Sequence, residues 1–169
     1  MPRILSNTHS VGDVIHICEV DDAAPYAGEL FHRSFRATIP DFPRHYIATY
    51  CGSTKQTVGY VHFTKTDDLY LCGGLCIDAR YFRHMQPSER SRISDNGGIA
   101  EIMLKECFAD LTDRDAIFGH CGDTKAMRVC LRAGFVPTQY QYLIVHWKRS
   151  LTIERQQALI EIANAVGPF

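Results

Sequence analysis

The stretch of this sequence that decides the fold is Asp123-Thr-Lys-Ala-Met-Arg-Val-Cys-Leu-Arg-Ala-Gly-Phe135. Asp123 is of the type that caps the first turn of a helix, and Gly134 suits the left-handed conformation that often follows a helix end. Upstream, residues 116–119 form a short apolar run flanked by charged residues, which predicts a buried strand. Between the two caps, small or apolar residues recur at helical spacing: Ala126, Val129, Cys130 and Ala133. The predicted order is therefore strand, helix, and an extended segment that begins at Phe135.

A glycine-rich loop, Asp95-Asn-Gly-Gly98-Ile-Ala100, precedes a second predicted helix. Unpaired amides at a helix N-terminus, together with the helix dipole, form a site for a diphosphate, and glycines let the backbone approach it closely. The helix that follows is predicted to be amphipathic, with apolar residues at Ala100, Met103, Leu104, Cys107, Phe108 and Leu111.

The segment before this loop has the alternating pattern of a strand. Leu69, Leu71, Leu75 and Ile77 alternate with Tyr70, Cys72, Cys76 and Asp78. Gly73-Gly74 interrupts the pattern, and a glycine pair inside a strand predicts a bulge or a close backbone approach.

Taken in order, these blocks resemble the GNAT superfamily of N-acetyltransferases over residues 68–135. The last block of that family reads Asn, two residues, Ala, three residues, Tyr, three residues, Gly-Phe. Ala126, Gly134 and Phe135 fit this pattern, whereas Asp123 stands where Asn is usual and Cys130 where Tyr is usual. Asp95 also departs from the family, because Arg or Gln is common at that position of the pyrophosphate loop.

The resemblance implies that residues 1–169 form a single α/β (α+β) domain with the acyl-CoA N-acyltransferase fold. Such a domain has a mixed central sheet of about six to seven strands with helices on both faces. A final helix over about 150–166 lies beyond the usual GNAT core, and it packs on the sheet or on a second subunit, which leaves a homodimer open. Further elements are predicted as strands at 13–20, 46–51, 57–64 and 138–147, a helix at 22–38, and a hairpin turn at 52–56.

The implied cofactor is acetyl-CoA or another acyl-CoA. Arg80, Arg83, Arg90 and Arg92 lie in an insertion over 79–94, and arginine forks match phosphate oxygens, so one or two are candidates for the CoA phosphates. Alternatively, Asp95 caps a helix and the arginines form a solvated loop. The implied cofactor-binding residues are Leu75, Cys76, Ile77, Arg92, Asp95, Asn96, Gly97, Gly98, Ile99, Ala100, Asp123 and Ala126.

The resemblance also implies direct attack of an amine on the thioester, with a backbone amide near Gly73-Gly74 stabilising the oxyanion. Cys130 is the candidate proton donor to the CoA sulfur, and its alternative is a small buried helix residue. For the base, His120 is the first candidate because it follows the buried strand where the family's sheet opens. Asp78 and His62 follow, and each of the three has a structural alternative as a turn cap or strand residue.

The acceptor is expected to be a small-molecule or protein amine. The resemblance places its wall at the loop after the first helix and at the late strand. The candidate substrate-binding residues are Asp41, Phe42, His45, Tyr140 and Tyr142, with His146 beside them. An acid attracts a protonated amine and aromatic walls suit a flat or apolar body, although Phe42 and the prolines can instead close the core.

Composition adds exclusions. With 169 residues and a net charge of −1, the chain has no basic footprint, so nucleic acid is an unlikely partner. The sequence has no apolar run of about 18 residues and no leader pattern, so we expect a protein that binds no membrane. Its seven cysteines show no paired spacing, which suggests reduced thiols and a cytoplasmic protein. No metal is expected, because Cys72 and Cys76 lie about 13 Å apart in an extended strand.

Two other functions stay open from the sequence. The altered Asp123, Asp95 and Cys130 favour a non-catalytic GNAT-fold module that binds acyl-CoA or a protein. The second alternative is a phage-type, GNAT-related enzyme that modifies a nucleobase, against which the near-neutral charge argues.

Overall fold

The computed structural model describes residues 2–5, 11–52 and 54–169, so Ser53 of the predicted hairpin turn lies outside the described residues. The described chain folds into one sheet of eight strands with five α-helices. The strands are β1 (Arg3–Ile4), β2 (Ile15–Val20), β3 (Arg44–Cys51), β4 (Lys55–Lys65), β5 (Leu69–Ile77), β6 (Ala116–His120), β7 (Val136–Pro137) and β8 (Leu143–Trp147). The helices are α1 (Ala24–Phe35), α2 (Pro87–Asp95), α3 (Ile99–Asp110), α4 (Thr124–Ala133) and α5 (Ile153–Val166), with a 3₁₀ turn at Tyr81–His84.

The sheet is mixed, in the order β1-β2-β3-β4-β5-β6-β8-β7. Neighbouring strands are antiparallel except for β5 and β6, which are parallel and are joined through α2 and α3. The strand number exceeds the expected six to seven because β1 and β7 are two-residue edge strands. A strand of two residues is too short to show a period-two pattern, and the sequence therefore does not predict it.

Helices cover both faces of the sheet, as predicted. On one face α2, α3 and α4 enclose a core that contains Tyr46, Phe63 and Ile117. On the other face α1 packs over the β2–β4 side and α5 over the β6–β8 side. The final helix therefore packs on the sheet of its own chain, through Leu159, Ile160 and Ala163. No helix in the described part of the chain is long and apolar enough to span a membrane.

The bulge predicted in β5 is present. Two steps along β4, from Tyr60 to His62, correspond to three steps along β5, from Cys76 to Gly73. Gly74 takes up the extra residue with a φ of 63°, a backbone conformation that favours glycine. The pairing of β5 with β6 ends at Cys72 and Gly119, while β5 continues to Ile77 against β4 alone. The sheet therefore opens beside the bulge.

Three predicted elements differ from the structure. The strand expected over 138–147 begins only at Leu143. The backbone N–H and the hydroxyl of Thr138 both donate to the carbonyl oxygen of Leu143, which closes a turn, and Tyr142 has a φ of 72°. The insertion over 79–94 is not a loop throughout, since Gln86 and Glu89 form a capping box that starts α2. The third is α3, which is buried on more than one face, with Glu101 and Glu106 inside.

We expect Gly74→Ala to destabilise the fold by about 1–3 kcal/mol, because a side chain there is strained by the positive φ and meets filled space. An added Cβ would lie 2.6 Å from the His62 ring and 2.7 Å from the Phe31 ring. The matched control is Gly28→Ala in the interior of α1, where a Cβ meets no atom within 4 Å. That change should stabilise by roughly 0.5–1 kcal/mol, as measured by urea denaturation. Equal effects of the two changes would contradict this account.

Candidate active site

A pocket of about 250 Å³ lies where β5 and β6 diverge. Its walls come from the bulge of β5, the end of β6, the start of α4, and three phenylalanines outside the strands, Phe35, Phe135 and Phe169. A larger pocket of about 450 Å³ beside α1 is lined by Arg33, Asp78 and Arg80, but these charged groups bond to one another. The pocket at the strand divergence is the better candidate because Gly73, Gly74, Asp123 and Cys130 all line it.

The predicted cofactor residues of β5 lie at this opening. Leu75 lines the pocket, and Leu75 and Ile77 both pack toward α3. Cys76 points to the opposite face, where it packs against α1. All three belong to the part of β5 that β6 does not pair, so this side of the strand is open to an extended ligand.

The glycine-rich loop has fewer free amides than the sequence suggested. The amides of Asn96, Gly97 and Gly98 all donate to carbonyl groups of α2. Three of the implied cofactor-binding residues therefore have amides that are already bonded, because the same residues terminate the helix that precedes the loop. Only the first turn of α3, which includes Ile99 and Ala100, begins without a capping side chain. An anion site at this end of α3 is limited to that turn.

The charges around this turn are already paired. Arg92 binds the carboxylate of Asp13, with one contact of 2.8 Å. Glu101 is 6% exposed and accepts from Lys105 at 2.7 Å and from Arg132 at 2.8 Å. Burial alone would raise the pKa of Glu101, but these two cations hold it below its usual value. Asp95 is exposed, so its charge is turned to solvent.

The start of α4 forms the opposite wall. Asp123 accepts from the amide of Ala126 at 2.8 Å, so the predicted N-cap is confirmed. Both residues line the pocket, beside Gly122, which the sequence analysis did not select. The sequence could have indicated Gly122 as a pocket residue, because it directly precedes the helix cap Asp123. Gly134 has a φ of 115° and ends the helix as predicted.

Cys130 is both a buried helix residue and part of the pocket wall, so the two alternatives from the sequence are not exclusive. Burial raises the pKa of its thiol to about 12, which keeps the thiol protonated at neutral pH. Cys121 lies next to it, and burial also raises the pKa of that thiol. All seven cysteines are free, and no group of three described His, Cys, Asp or Glu residues is arranged to hold a metal ion.

The three candidate bases have different surroundings. His120 lines the pocket with its ring 6.1 Å from that of Tyr142 and 6.2 Å from that of Phe169, measured between centroids. Asp78 does not line this pocket, and its carboxylate accepts from Arg33 and Arg80. The hydrogen bond from Arg80 lowers the pKa of Asp78, so this carboxylate is a poor proton acceptor and its contacts favour a structural role.

The third candidate, His62, lies directly against the bulge. An ideal Cβ on Gly73 would be 2.7 Å from its Nε2 atom. Its Nδ1 atom forms a hydrogen bond of 3.1 Å with the hydroxyl of Tyr60. Burial, followed by the nearby His45, lowers the pKa of His62 to about 4, so this imidazole is neutral at pH 7.

The predicted acceptor residues are not gathered at the pocket. Asp41 and Phe42 are exposed in the loop before β3, and His45 is buried against Tyr60. Tyr140 donates to Glu161 of α5 because the chain turns there instead of forming a strand. Tyr142 lies beside His120. The aromatic wall instead includes Phe35 and Phe169, and nothing in the sequence identified Phe169.

We expect the free energy of unfolding to fall as the pH is lowered from 6.5 toward 4. Over that range the unfolded chain binds a proton at His62 and the folded chain does not, because its pKa is about 4 instead of the reference 6.5. At pH 5 this group alone should account for about 2 kcal/mol. Urea denaturation at pH 7 and pH 5 measures it, with His62→Gln expected to reduce the difference and His32→Gln, at an exposed site, as the control. Identical pH dependence of the two variants would contradict the assignment.

No protein-family model matches the sequence, and no curated protein matches it either. Among solved structures, an acetyltransferase of the GNAT family from Staphylococcus aureus Mu50 matches with a TM-score of 0.55 and 13% identity, over 80% of this chain and 100% of that one. The ribosomal-protein-S18-alanine N-acetyltransferase from Escherichia coli matches with a TM-score of 0.49 and 10% identity, over 82% and 97% of the two chains. A KacTA–DNA complex matches with a TM-score of 0.49 and 15% identity, over 89% and 98%.

Sequence identities this low support similarity of fold alone. The DNA in the last of these structures gives no evidence about this chain. The fold itself is clear from the first match and from the features already described: the mixed sheet, the bulge in β5, the divergence of β5 from β6, and the Asp-capped α4. The chain therefore has the acyl-CoA N-acyltransferase fold of the GNAT superfamily, in a divergent form.

Proposed function

We propose that this protein is an acyl-CoA-dependent N-acyltransferase that transfers an acetyl group from acetyl-CoA to an amine by direct attack in a ternary complex. The observation that carries the proposal is the pocket at the divergence of β5 and β6, which contains the bulge glycines on one wall and the start of α4 on the other. A bulged strand with one open side can pair with an extended ligand while presenting a backbone amide at the bulge.

The residues present fit an acyl-CoA in three places. Leu75 and Ile77 offer the open side of β5 to an extended chain. The first turn of α3 offers uncapped amides to phosphate, and the pocket beside Gly73 and Gly74 offers room for a small acyl group. Acetyl-CoA supplies the activated acyl group, and the chain's task is to orient it, to exclude water and to move protons.

Two proton positions follow from this arrangement. Cys130 holds a proton at neutral pH in the pocket wall, so it is placed to protonate a departing thiolate. The backbone at Gly73 and Gly74 lines the pocket and is a candidate amide donor for a developing oxyanion. On the acceptor side, Phe35, His120 and Phe169 form an aromatic wall that suits an amine attached to an apolar body.

A second candidate function is that of a non-catalytic module that binds a protein partner instead of an acyl-CoA. It is favoured by the loop before α3, where three amides are already bonded to α2, and by Arg92, which is paired with Asp13. Both features weaken the hold on the diphosphate. They do not alter the pocket at the bulge, so the enzyme remains the better-supported proposal.

We expect acetyl-CoA to bind the wild-type protein and Gly122→Trp to abolish that binding. Gly122 lines the pocket and an added Cβ meets no atom within 4 Å, so the indole can fill the pocket without straining the backbone. Gly28→Trp is the matched control, since Gly28 also has open space but lies outside this pocket. Isothermal titration measures both, with desulfo-CoA as a second ligand. Binding that survives Gly122→Trp, or is absent from the wild type, would contradict the proposal.

We expect Cys130→Ala to lower the rate of acetyl transfer by roughly 100-fold while acetyl-CoA affinity is retained, because only the departing thiolate needs this proton. Cys107→Ala is the control, since that thiol is also fully buried with a raised pKa but does not line the pocket. The measurement is release of free CoA in an acceptor screen. Equal losses in both variants would identify Cys130 as a packing residue only.

A further inference from the structure

Three polar side chains form a chain of hydrogen bonds on the α1 face of β3 and β4, and the proposed function does not yet use them. His45 Nδ1 lies 2.9 Å from the hydroxyl of Tyr60, and that hydroxyl lies 3.1 Å from Nδ1 of His62. His45 and Tyr60 are buried, at 2% and 0% exposure, and His62 is half-buried. Buried polar groups cost stability unless they are hydrogen-bonded. Three linked polar side chains in a small core therefore point to a role other than packing.

One end of this chain of hydrogen bonds lies against the bulge glycines that line the pocket, although His62 itself is not among the lining residues. An ideal Cβ would lie 2.7 Å from His62 Nε2 at Gly73, and 2.6 Å from His62 Cε1 at Gly74. The imidazole therefore occupies the space that side chains at the bulge would fill, and these same glycines line the pocket. Among the described residues no hydrogen bond to Nε2 is present, and His62 is only half-buried.

The other end faces negative charge. The carboxylates of Asp22 and Asp41 both act on His45 electrostatically and favour its protonated form. The groups packed around His62 are different: Phe31 of α1 and the glycines of β5 carry no charge. Besides the Tyr60 hydroxyl, to which it is hydrogen-bonded, the titratable group that acts on His62 is His45. Burial lowers the pKa of both histidines, but carboxylates oppose that effect only at His45 among the described residues.

We propose that His62 is the catalytic base that takes the proton from the acceptor amine, and that Tyr60 and His45 act as positioning residues which carry the resulting charge away from the pocket. The inference rests on the proposed N-acyltransferase function and names the proton acceptor within it.

The proton transfers balance as follows. At the start, His62 carries its proton on Nδ1 and donates to the Tyr60 oxygen, while Tyr60 donates to Nδ1 of His45. Nε2 of His62 accepts a proton from the ammonium group, which frees the nitrogen lone pair to attack the acyl carbon. The second proton, which the nitrogen loses after the attack, replaces the one that Cys130 gives to the departing thiolate. The Nδ1 proton of His62 then passes to Tyr60, and the Tyr60 proton passes to Nδ1 of His45. The result is a neutral His62, a neutral Tyr60 and an imidazolium at His45.

The relay is needed because His62 alone is a weak base. Its pKa of about 4 reflects burial first and His45 second. Burial, followed by the nearby Cys76 thiol, raises the pKa of Tyr60, so this hydroxyl keeps its proton. It can therefore relay charge only by accepting one proton as it donates another. Burial lowers the pKa of His45 as well, but Asp22 and Asp41 oppose that effect.

The first test compares His62→Gln with the wild type in acetyl transfer to two nucleophiles. Benzylamine is protonated at neutral pH, so a base must remove a proton before it can attack. Hydroxylamine is unprotonated at neutral pH and does not need this base. We expect the benzylamine rate to fall roughly 100-fold, the hydroxylamine rate to be largely retained, and acetyl-CoA affinity to be unchanged. Tyr60→Phe should shift the acidic limb of the pH–rate profile for benzylamine. Equal losses with both nucleophiles, or no loss with either, would overturn the proposal.

The second test requires no turnover. Long-range ¹H–¹⁵N NMR of the histidine rings, in the protein with acetyl-CoA, reports which nitrogen of His62 carries the proton. We expect the proton on Nδ1, and we expect Tyr60→Phe to uncouple the titrations of His62 and His45. A proton on Nε2, or titrations that Tyr60→Phe leaves unchanged, would rule out the relay even if benzylamine is not an acceptor. Absence of acetyl-CoA binding by the wild type would instead refute the underlying function.

Discussion

The bulge at Gly74 is the constraint on which the rest of this structure depends. It adds one residue to β5 relative to β4, and it lies just beyond the point where β5 stops pairing with β6. A strand that turns away from one neighbour leaves backbone groups on that side, and these are either hydrated or bonded to a ligand. The pocket, the open side of β5 and the wall provided by α4 all follow from this one local departure from regular pairing.

The same bulge explains why glycines and a histidine are found together. Gly73 and Gly74 leave a space on the α1 face, and the His62 ring fills it. A side chain at either position would displace the ring, so the backbone conformation and the position of the imidazole are set by one another. Phe31 closes the other side of that ring at a centroid distance of 6.1 Å, which ties the first helix to the geometry of the bulge.

The sequence predicted what is local. The Asp123 cap, the Gly134 helix end, the β5 bulge and the buried strand at β6 each depend on a few adjacent residues. It did not predict features made by distant pairs: Arg92 binds a carboxylate 79 positions away, and the loop before α3 is occupied because α2 forms directly before it. Strand alternation puts Tyr60 and His62 on one face, but His45 joins them only through the register of the β3–β4 hairpin. Phe169 reaches the pocket only because α5 packs on the sheet.

Three titratable side chains near the bulge, those of Cys130, Tyr60 and His62, are neutral at pH 7. Cys130 and Tyr60 keep their protons because burial raises their pKa values, and His62 lacks its second proton because burial lowers its pKa. A desolvated pocket disfavours a charge that lacks a partner, so a proton released there has to leave or meet a carboxylate. In the series of hydrogen bonds that starts at His62, His45 is the group whose protonated form is favoured by carboxylates, those of Asp22 and Asp41. In the proposed relay, the site that takes up the proton is therefore separate from the site where carboxylates favour the charge, and the Tyr60 hydroxyl connects the two.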